Sequence, residues 1–291
     1  MFQKEALFWG PKDNNNIQCL LCPRECHIAP GQVGFCKVRK NENGDLYSLV
    51  YGACSAIAVD PIEKKPLKQF FPGTKVFSVG TVGCNLDCKH CQNWQISHTD
   101  ISYKTEFISP LNLIDVAKKN NCDGIAWTYN EPTVWFEFSL DSAILAKEHG
   151  LYTVYVTNGY INTAPIDQIG PYLDAFCVDI KGFSDLFYKD ICGINNWQNI
   201  LNVTQRVKDK WGVHVEIVTN IIPQYNDNDD ELTNLAKWIK NNLGSETAWH
   251  ITRFFPNFKL RDLPFTPLET LQRAKSIGEK VGLKKVFLGN V

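Results

Sequence analysis

From residue 74 to residue 291, short runs rich in β-branched residues alternate with longer amphipathic stretches, and this alternation narrows the choice of fold more than anything else in the chain. The β-rich runs occupy 75–82, 124–129, 152–157, 175–181, 213–222, 249–255 and 285–288. The amphipathic stretches between them occupy 110–119, 133–149, 164–172, 198–211, 229–243 and 266–281. A strand followed by a helix and then another strand builds a parallel pair joined by a crossover. Six or seven such units fall short of a closed eight-fold barrel, so the expected fold is α/β, a partial (β/α)6-type open barrel over 74–291. Residues 1–73 break the alternation and read as a cysteine-containing N-terminal extension.

In parallel α/β barrels the reacting groups project from the C-terminal ends of the strands. Polar clusters recur at that phase. A cysteine-rich loop follows the first run, Thr128-Tyr129-Asn130-Glu131-Pro132 closes the second, and Thr157-Asn158-Gly159 the third. Asp179-Ile180-Lys181 ends the fourth, with both charged side chains on one face by strand alternation, and His250 and Arg253 mark the sixth. Within the loop, Cys84, Cys88 and Cys91 are spaced C-x3-C-x2-C. Three soft thiolates this close suit one iron–sulfur cube and leave one iron open to a small molecule. The competing reading is a zinc knuckle with His90 or His98 as a fourth ligand.

The triplet spacing resembles that of the radical S-adenosylmethionine (SAM) enzymes. Val82-Gly83-Cys84-Asn85-Leu86 and Gln92-Asn93-Trp94 are similar to the pyruvate formate-lyase activating enzyme branch. Asp60-Pro61-Ile62-Glu63-Lys64-Lys65-Pro66-Leu67, followed by Phe71-Pro72-Gly73, resembles the radical enzyme of the AmmeMemoRadiSam group. The resemblance implies a partial barrel and a [4Fe-4S] cluster on Cys84, Cys88 and Cys91 with SAM on its open iron. It also implies an oxidoreductase that cleaves SAM reductively and abstracts hydrogen from a substrate. Its partners would be a reductant such as flavodoxin or ferredoxin and a protein substrate, with a glycine of a glycyl-radical enzyme as one target.

The resemblance also implies roles for individual residues. His90 stands where an aromatic residue commonly lies near the adenine, with an ordinary solvated or hydrogen-bonded histidine as the alternative. Asn130 and Glu131 align with a Gly-Gly-Glu type motif along the methionine part of SAM, Tyr129 and Asn130 replacing the two glycines. Glu131 as a mere cap for the helix begun by Pro132 competes with that role. Thr157 and Asn158 face the cofactor, and Val156 replaces an acid that serves a monovalent cation in some activating enzymes. Asp179 and Lys181 flank the cofactor carboxylate or form a structural ion pair. His250 approaches the ribose or adenine, or is a core histidine, with Arg253 three residues on.

Cys19, Cys22, Cys26 and Cys36 form C-x2-C-x3-C-x9-C in the extension. Zinc, a second cluster, and unligated or disulfide-bonded thiols are the three readings. Eleven cysteines in a chain with no evident secretory signal favour metal ligation in a reducing cytoplasm. Cys54, Cys122, Cys177 and Cys192 lack ligand spacing and read as small apolar core residues. Thirty basic against 31 acidic residues give no nucleic-acid footprint, and no run approaches the ~18–20 apolar residues that cross a bilayer. The acidic stretch 226–230 lacks the glycine of a calcium loop and reads as a helix N-cap. Lys64 and Lys65 touch a partner, line the mouth or sit in a solvated turn. The alternative to an enzyme is a non-enzymatic zinc-binding interaction scaffold.

Overall fold

A computed structural model describes residues 2–291. Its centre is one eight-stranded sheet whose spatial order follows the chain. The strands are β1 (Ala56–Pro61), β2 (Lys75–Gly80), β3 (Gly124–Trp127), β4 (Tyr152–Thr157), β5 (Ala175–Asp179), β6 (His214–Ile221), β7 (Trp249–Arg253) and β8 (Val286–Gly289). β1 pairs antiparallel with β2, and β2 to β8 run parallel. Helices α1 (Pro110–Lys119), α2 (Phe136–Glu148), α3 (Thr163–Ile169), α4 (Gln198–Trp211), α5 (Asp229–Trp238) and α6 (Leu268–Val281) lie between successive parallel strands. This is the expected open partial barrel. Its antiparallel edge, β1, comes from the segment read as extension.

Strand alternation builds two apolar layers. Val76, Ala126, Val154, Ala175, Cys177 and Val218 face inward and meet Ile62, Leu67 and Phe70. Their neighbours Phe77, Ile125, Trp127, Tyr155, Phe176 and Ile217 face the helices. Both faces are therefore covered, and truncating a buried side chain such as Phe176 to alanine costs about 3–5 kcal/mol. Helix ends follow local chemistry: Ser109 accepts from Asn112 N before α1, and Asn228 accepts from Glu231 N before α5, the N-cap expected of 226–230. Gly212 and Gly282 stop α4 and α6 at φ +66° and +105°. Among the described residues no helix is long and apolar enough to cross a membrane.

Residues 62–72 close the N-terminal end of the barrel. Lys68 N and Gln69 N donate to the buried Glu216 carboxylate at 3.1 and 2.8 Å, and Phe70 packs on Tyr152 and His214 at the starts of β4 and β6. Ahead of β1, two small antiparallel sheets dock beside α2. A buried ion pair, Arg39 Nη1 to Glu137 Oε1 at 2.9 Å, and Trp135 Nε1 donating to Val50 O at 2.5 Å fix that docking.

Candidate active site

The loop after β2 is tied down by side chains distant in sequence. Asn130 accepts from Thr81 N at 3.0 Å and donates to Gly83 O at 2.8 Å, so both ends of its amide hold the loop. Asn85 donates to Tyr160 O at 2.6 Å, and Asp87 N and Lys89 N donate to Cys192 O and Ile191 O. So anchored, the loop turns Cys84, Cys88 and Cys91 into a cavity of about 380 Å³ at the C-terminal ends of the strands. A larger groove of about 560 Å³ beside β1 and α1 is walled by Ile57, Val59 and Phe107 and holds no cysteine.

Burial, with Glu131 and the other cysteines nearby, pushes the Cys84 thiol well above its ordinary range, and burial with Cys88 lifts Cys91 to about 11. Cys88 is raised first by a hydrogen bond with the Cys192 thiol and then by burial. Three thiols in such a place ionise only against positive charge, which ferrous and ferric iron supply. The donor set therefore fits an iron–sulfur cluster. Cys192 is buried as expected, but it packs against Cys88 instead of lying in bare apolar surroundings, and it does not line the cavity.

His90 lines the cavity at 7 % exposure, its Nδ1 without a partner. Burial and the Lys181 charge lower its pKa to about 3, so the ring is neutral. The ring is therefore not a solvated one. Tyr129 has φ +73°, a glycine-like conformation kept by a tyrosine where related motifs carry glycine. Asn93 Nδ2 donates to Tyr129 O at 2.6 Å, and Tyr129 Oη donates to Asp60 at 3.1 Å, holding that backbone.

Glu131 both caps the turn that follows it and lines the cavity. Its carboxylate accepts from Thr133 N (2.9 Å), Thr133 Oγ1 (2.6 Å), Thr157 Oγ1 (2.6 Å) and Asn158 N (2.8 Å). Burial outweighs these bonds and raises the Glu131 pKa. Because these protein donors engage both of its oxygens, its direct work is to set Thr157 and Asn158. Asn158 Nδ2 in turn reaches Asn85 Oδ1 at 2.9 Å and Cys84 Sγ at 3.7 Å. Val156 lines the same wall. Lys181 lies just beyond β5 and pairs with Asp179 at 2.7 Å on the cavity wall, so the ion pair and the site position coincide. Burial alone would lower the Lys181 pKa, but Asp179, Cys88 and Cys192 reverse this and raise it well above the usual range.

Two candidates lie elsewhere. His250 does not line the cavity; its Nε2 is 2.6 Å from Glu216 Oε2 inside the barrel. Arg253 donates to Thr266 O at 2.7 Å and covers Phe265. Sequence reasoning passed over Asn220 and Thr252, which bond each other at 3.1 Å on the wall. Asn220 follows inward-facing Val218 by two residues, so strand alternation was the available signal. Lys65 is no solvated side chain: it is 3 % exposed and paired with Asp60 at 2.7 Å, while Lys64 reaches the same carboxylate at 2.9 Å from the surface. Burial would raise the Asp60 pKa, but Lys65 and Lys64 hold it below the ordinary range.

Cys19, Cys22, Cys26 and Cys36 surround a second, smaller cavity behind the loop, and all four thiols are free. Among the described residues no three His, Cys, Asp or Glu side chains stand at the spacing of ligands on one metal ion.

The sequence profile of the Radical SAM superfamily matches residues 78–239. The chain is 43 % identical to an uncharacterized protein of Methanocaldococcus jannaschii, over 99 % of this chain and 85 % of that protein. It is 27 % identical to the pyruvate formate-lyase-activating enzyme of Clostridium pasteurianum, over 55 % of this chain and 67 % of that enzyme. A radical SAM methyltransferase from Sphaerobacter thermophilus shares the fold, with a TM-score of 0.57 at 17 % identity over 75 % of this chain and 67 % of that one. The chain thus belongs to the Radical SAM superfamily, and it is an enzyme of that type that resembles the pyruvate formate-lyase activating enzymes.

Proposed function

We propose that Cys84, Cys88 and Cys91 hold a [4Fe-4S] cluster with one open iron, that the surrounding wall seats SAM, and that the enzyme abstracts hydrogen from a substrate at the barrel mouth. When bound, the cluster supplies the electron for reductive cleavage of SAM. The observation that carries the reading is convergence: the loop after β2 and the ends of β3, β4 and β5 bring the triplet, His90, Asn130, Glu131, Thr157, Asn158, Asp179 and Lys181 to one cavity. Asn130 holds the cysteine loop, and Asn158 directs an N–H towards the Cys84 sulfur. The Lys181 ammonium binds a carboxylate, and the neutral His90 ring offers its free Nδ1 to the adenine. Leu86, Val156 and Val218 give the wall its apolar surface.

The names of two relatives support a protein substrate. They are activating enzymes of pyruvate formate-lyase and of choline trimethylamine-lyase, which supports a glycine in a glycyl-radical partner as the target and a flavodoxin or ferredoxin as the reductant. The test is anaerobic reconstitution with iron and sulfide, reduction, and chromatography with SAM. Formation of 5′-deoxyadenosine and methionine is expected. Intact SAM, beside a related enzyme that cleaves it in parallel, overturns the proposal. Electron paramagnetic resonance of the reduced protein should also change when SAM is added. The zinc scaffold gives way to this reading because the chain is an enzyme of the radical SAM type.

A further inference from the structure

The cavity wall carries Lys181, which the function proposed above uses, and a second ammonium group, Lys65, which it does not. Lys65 belongs to the segment that closes the N-terminal end of the barrel, and it meets the cavity beside Pro66, Val156 and Val218. Its side chain is buried. The backbone that presents it is fixed on both sides. Lys65 N donates to Ile62 O at 2.9 Å, Ile62 N to Thr74 O at 3.0 Å, and Gly73 N to Glu63 Oε1 at 2.6 Å. Further along, Lys68 N and Gln69 N are held by Glu216. A cation kept out of water on so rigid a support is costly unless something negative meets it.

Asp60 meets that need only in part. Its Oδ2 accepts from Lys65 Nζ at 2.7 Å and from Tyr129 Oη at 3.1 Å, while its Oδ1 accepts from Lys64 Nζ at 2.9 Å. Two ammonium groups thus share one carboxylate. Cys177, whose thiol reaches Pro66 O at 3.8 Å, adds no negative charge, because burial pushes its pKa well above the ordinary range. The Asp60–Lys64–Lys65 group therefore turns one uncompensated positive charge towards the cavity. Donor capacity points the same way. An ammonium has three N–H groups; Asp60 takes one, and the Tyr129 ring, 4.7 Å from Nζ, covers a second side. The third is left for a ligand, among apolar neighbours that strengthen a charge-assisted hydrogen bond.

We propose that Lys65 recognises the substrate: the wall it shares with Pro66, Val156 and Val218 binds a carboxylate of that substrate, while Lys181 serves the carboxylate of SAM. Asp60 and the Tyr129 ring hold the ammonium, and the incoming carboxylate accepts its remaining N–H. The ligand class is a carboxylic acid, either a free small acid or an acidic side chain of a peptide, since both present the same planar anion. The inference rests on the function proposed above for the division of labour between the two lysines; the anion site itself is read without any turnover.

The experiment is equilibrium dialysis of radiolabelled probes against the anaerobically reconstituted full chain, with SAM present and no reductant. N-acetylglycine and N-acetylglycinamide differ only in the charge at one end. Acetyl-glutamyl-glycinamide and acetyl-glutaminyl-glycinamide carry the same contrast on a peptide side chain. In one pair the acid should bind tighter than its amide by about tenfold or more, and the pair that shows this identifies the source as a free acid or a peptide. Lys65→Met and Lys65→Gln should each cut that ratio to less than about twofold. Glutamine keeps a donor for Asp60, so the second variant decides the question should the first not fold. Equal binding of acid and amide in both pairs by the wild type, or the full ratio kept by a folded Lys65 variant, overturns the proposal. Acid preference in a protein that leaves SAM intact on reduction keeps the carboxylate site and overturns the function proposed above. Cleaved SAM without acid preference does the reverse.

Discussion

His250→Ala separates a ligand-contacting histidine from one that holds the barrel together. His250 Nε2 meets Glu216 Oε2 at 2.6 Å, and the carboxylate also receives His214 Nε2 (2.9 Å), Lys68 N (3.1 Å) and Gln69 N (2.8 Å). Burial would raise the Glu216 pKa, yet the histidines and the Gln69 amide bring it from 4.5 down to about 2. That gap is worth about 3 kcal/mol in favour of the charged form, at about 1.4 kcal/mol per pH unit. His250 is one of four donors, so its share of this is about 1 kcal/mol. The hole left beside Phe287, on which the ring stacks at 5.3 Å, adds to it. We expect a total loss of about 2–3 kcal/mol, or roughly 3–5 °C in Tm for a chain of 291 residues, measured by circular dichroism under anaerobic conditions. SAM affinity should change less than about twofold, and a cycle with Glu216→Gln should show coupling of about 1 kcal/mol. An unchanged Tm with SAM binding weakened about tenfold would refute the structural role and return His250 to the cofactor.

The same carboxylate gives a pH signature. Its folded pKa is depressed, so its contribution is complete above about pH 4.5 and is lost as pH falls towards about 2; acid unfolding of Glu216→Gln should lack that component. Cys192→Ala should retain about four irons at the barrel site and the spectral response to SAM, because the thiol stands behind Cys88; loss of the cluster would make Cys192 a ligand and close the open iron. Gly83→Ala should lower stability by about 2–4 kcal/mol in thermal unfolding, since φ is +84° and the added methyl meets Cys36 O. Asn130→Ala should lower the rate of SAM cleavage by about tenfold or more while iron content changes little, as the loop loses its bonds at Thr81 and Gly83; normal turnover would show that the loop is held otherwise.

Alternation at period two and three-point-six was enough to read β2 to β8, and it placed most site residues at strand ends, because those periods depend only on neighbours in the chain. Glu131 was legible as a cap, which its bond from Thr133 N bears out, and the same carboxylate reaches Asn158 N on the cavity wall. β1, Ala56–Pro61, was missed because it joins the sheet as an antiparallel edge, which no β-then-α rhythm announces. Of the two readings of His250, only the tertiary structure supplied the Glu216 partner that places it in the core, because that partner lies 34 residues away on the neighbouring strand.

The sequence by itself determined the open barrel and the three-cysteine loop, since strand period and C-x3-C-x2-C are local and survive without knowledge of the packing. Only the tertiary structure decided which charges are buried in pairs, such as Arg39 with Glu137 across 98 positions and Lys65 with Asp60 at the cavity. It also decided that Cys36 lies against Gly83, bringing two cysteine sets together. Such contacts arise when distant segments share a low-dielectric interior, where each buried charge or N–H needs a partner that chain order does not name.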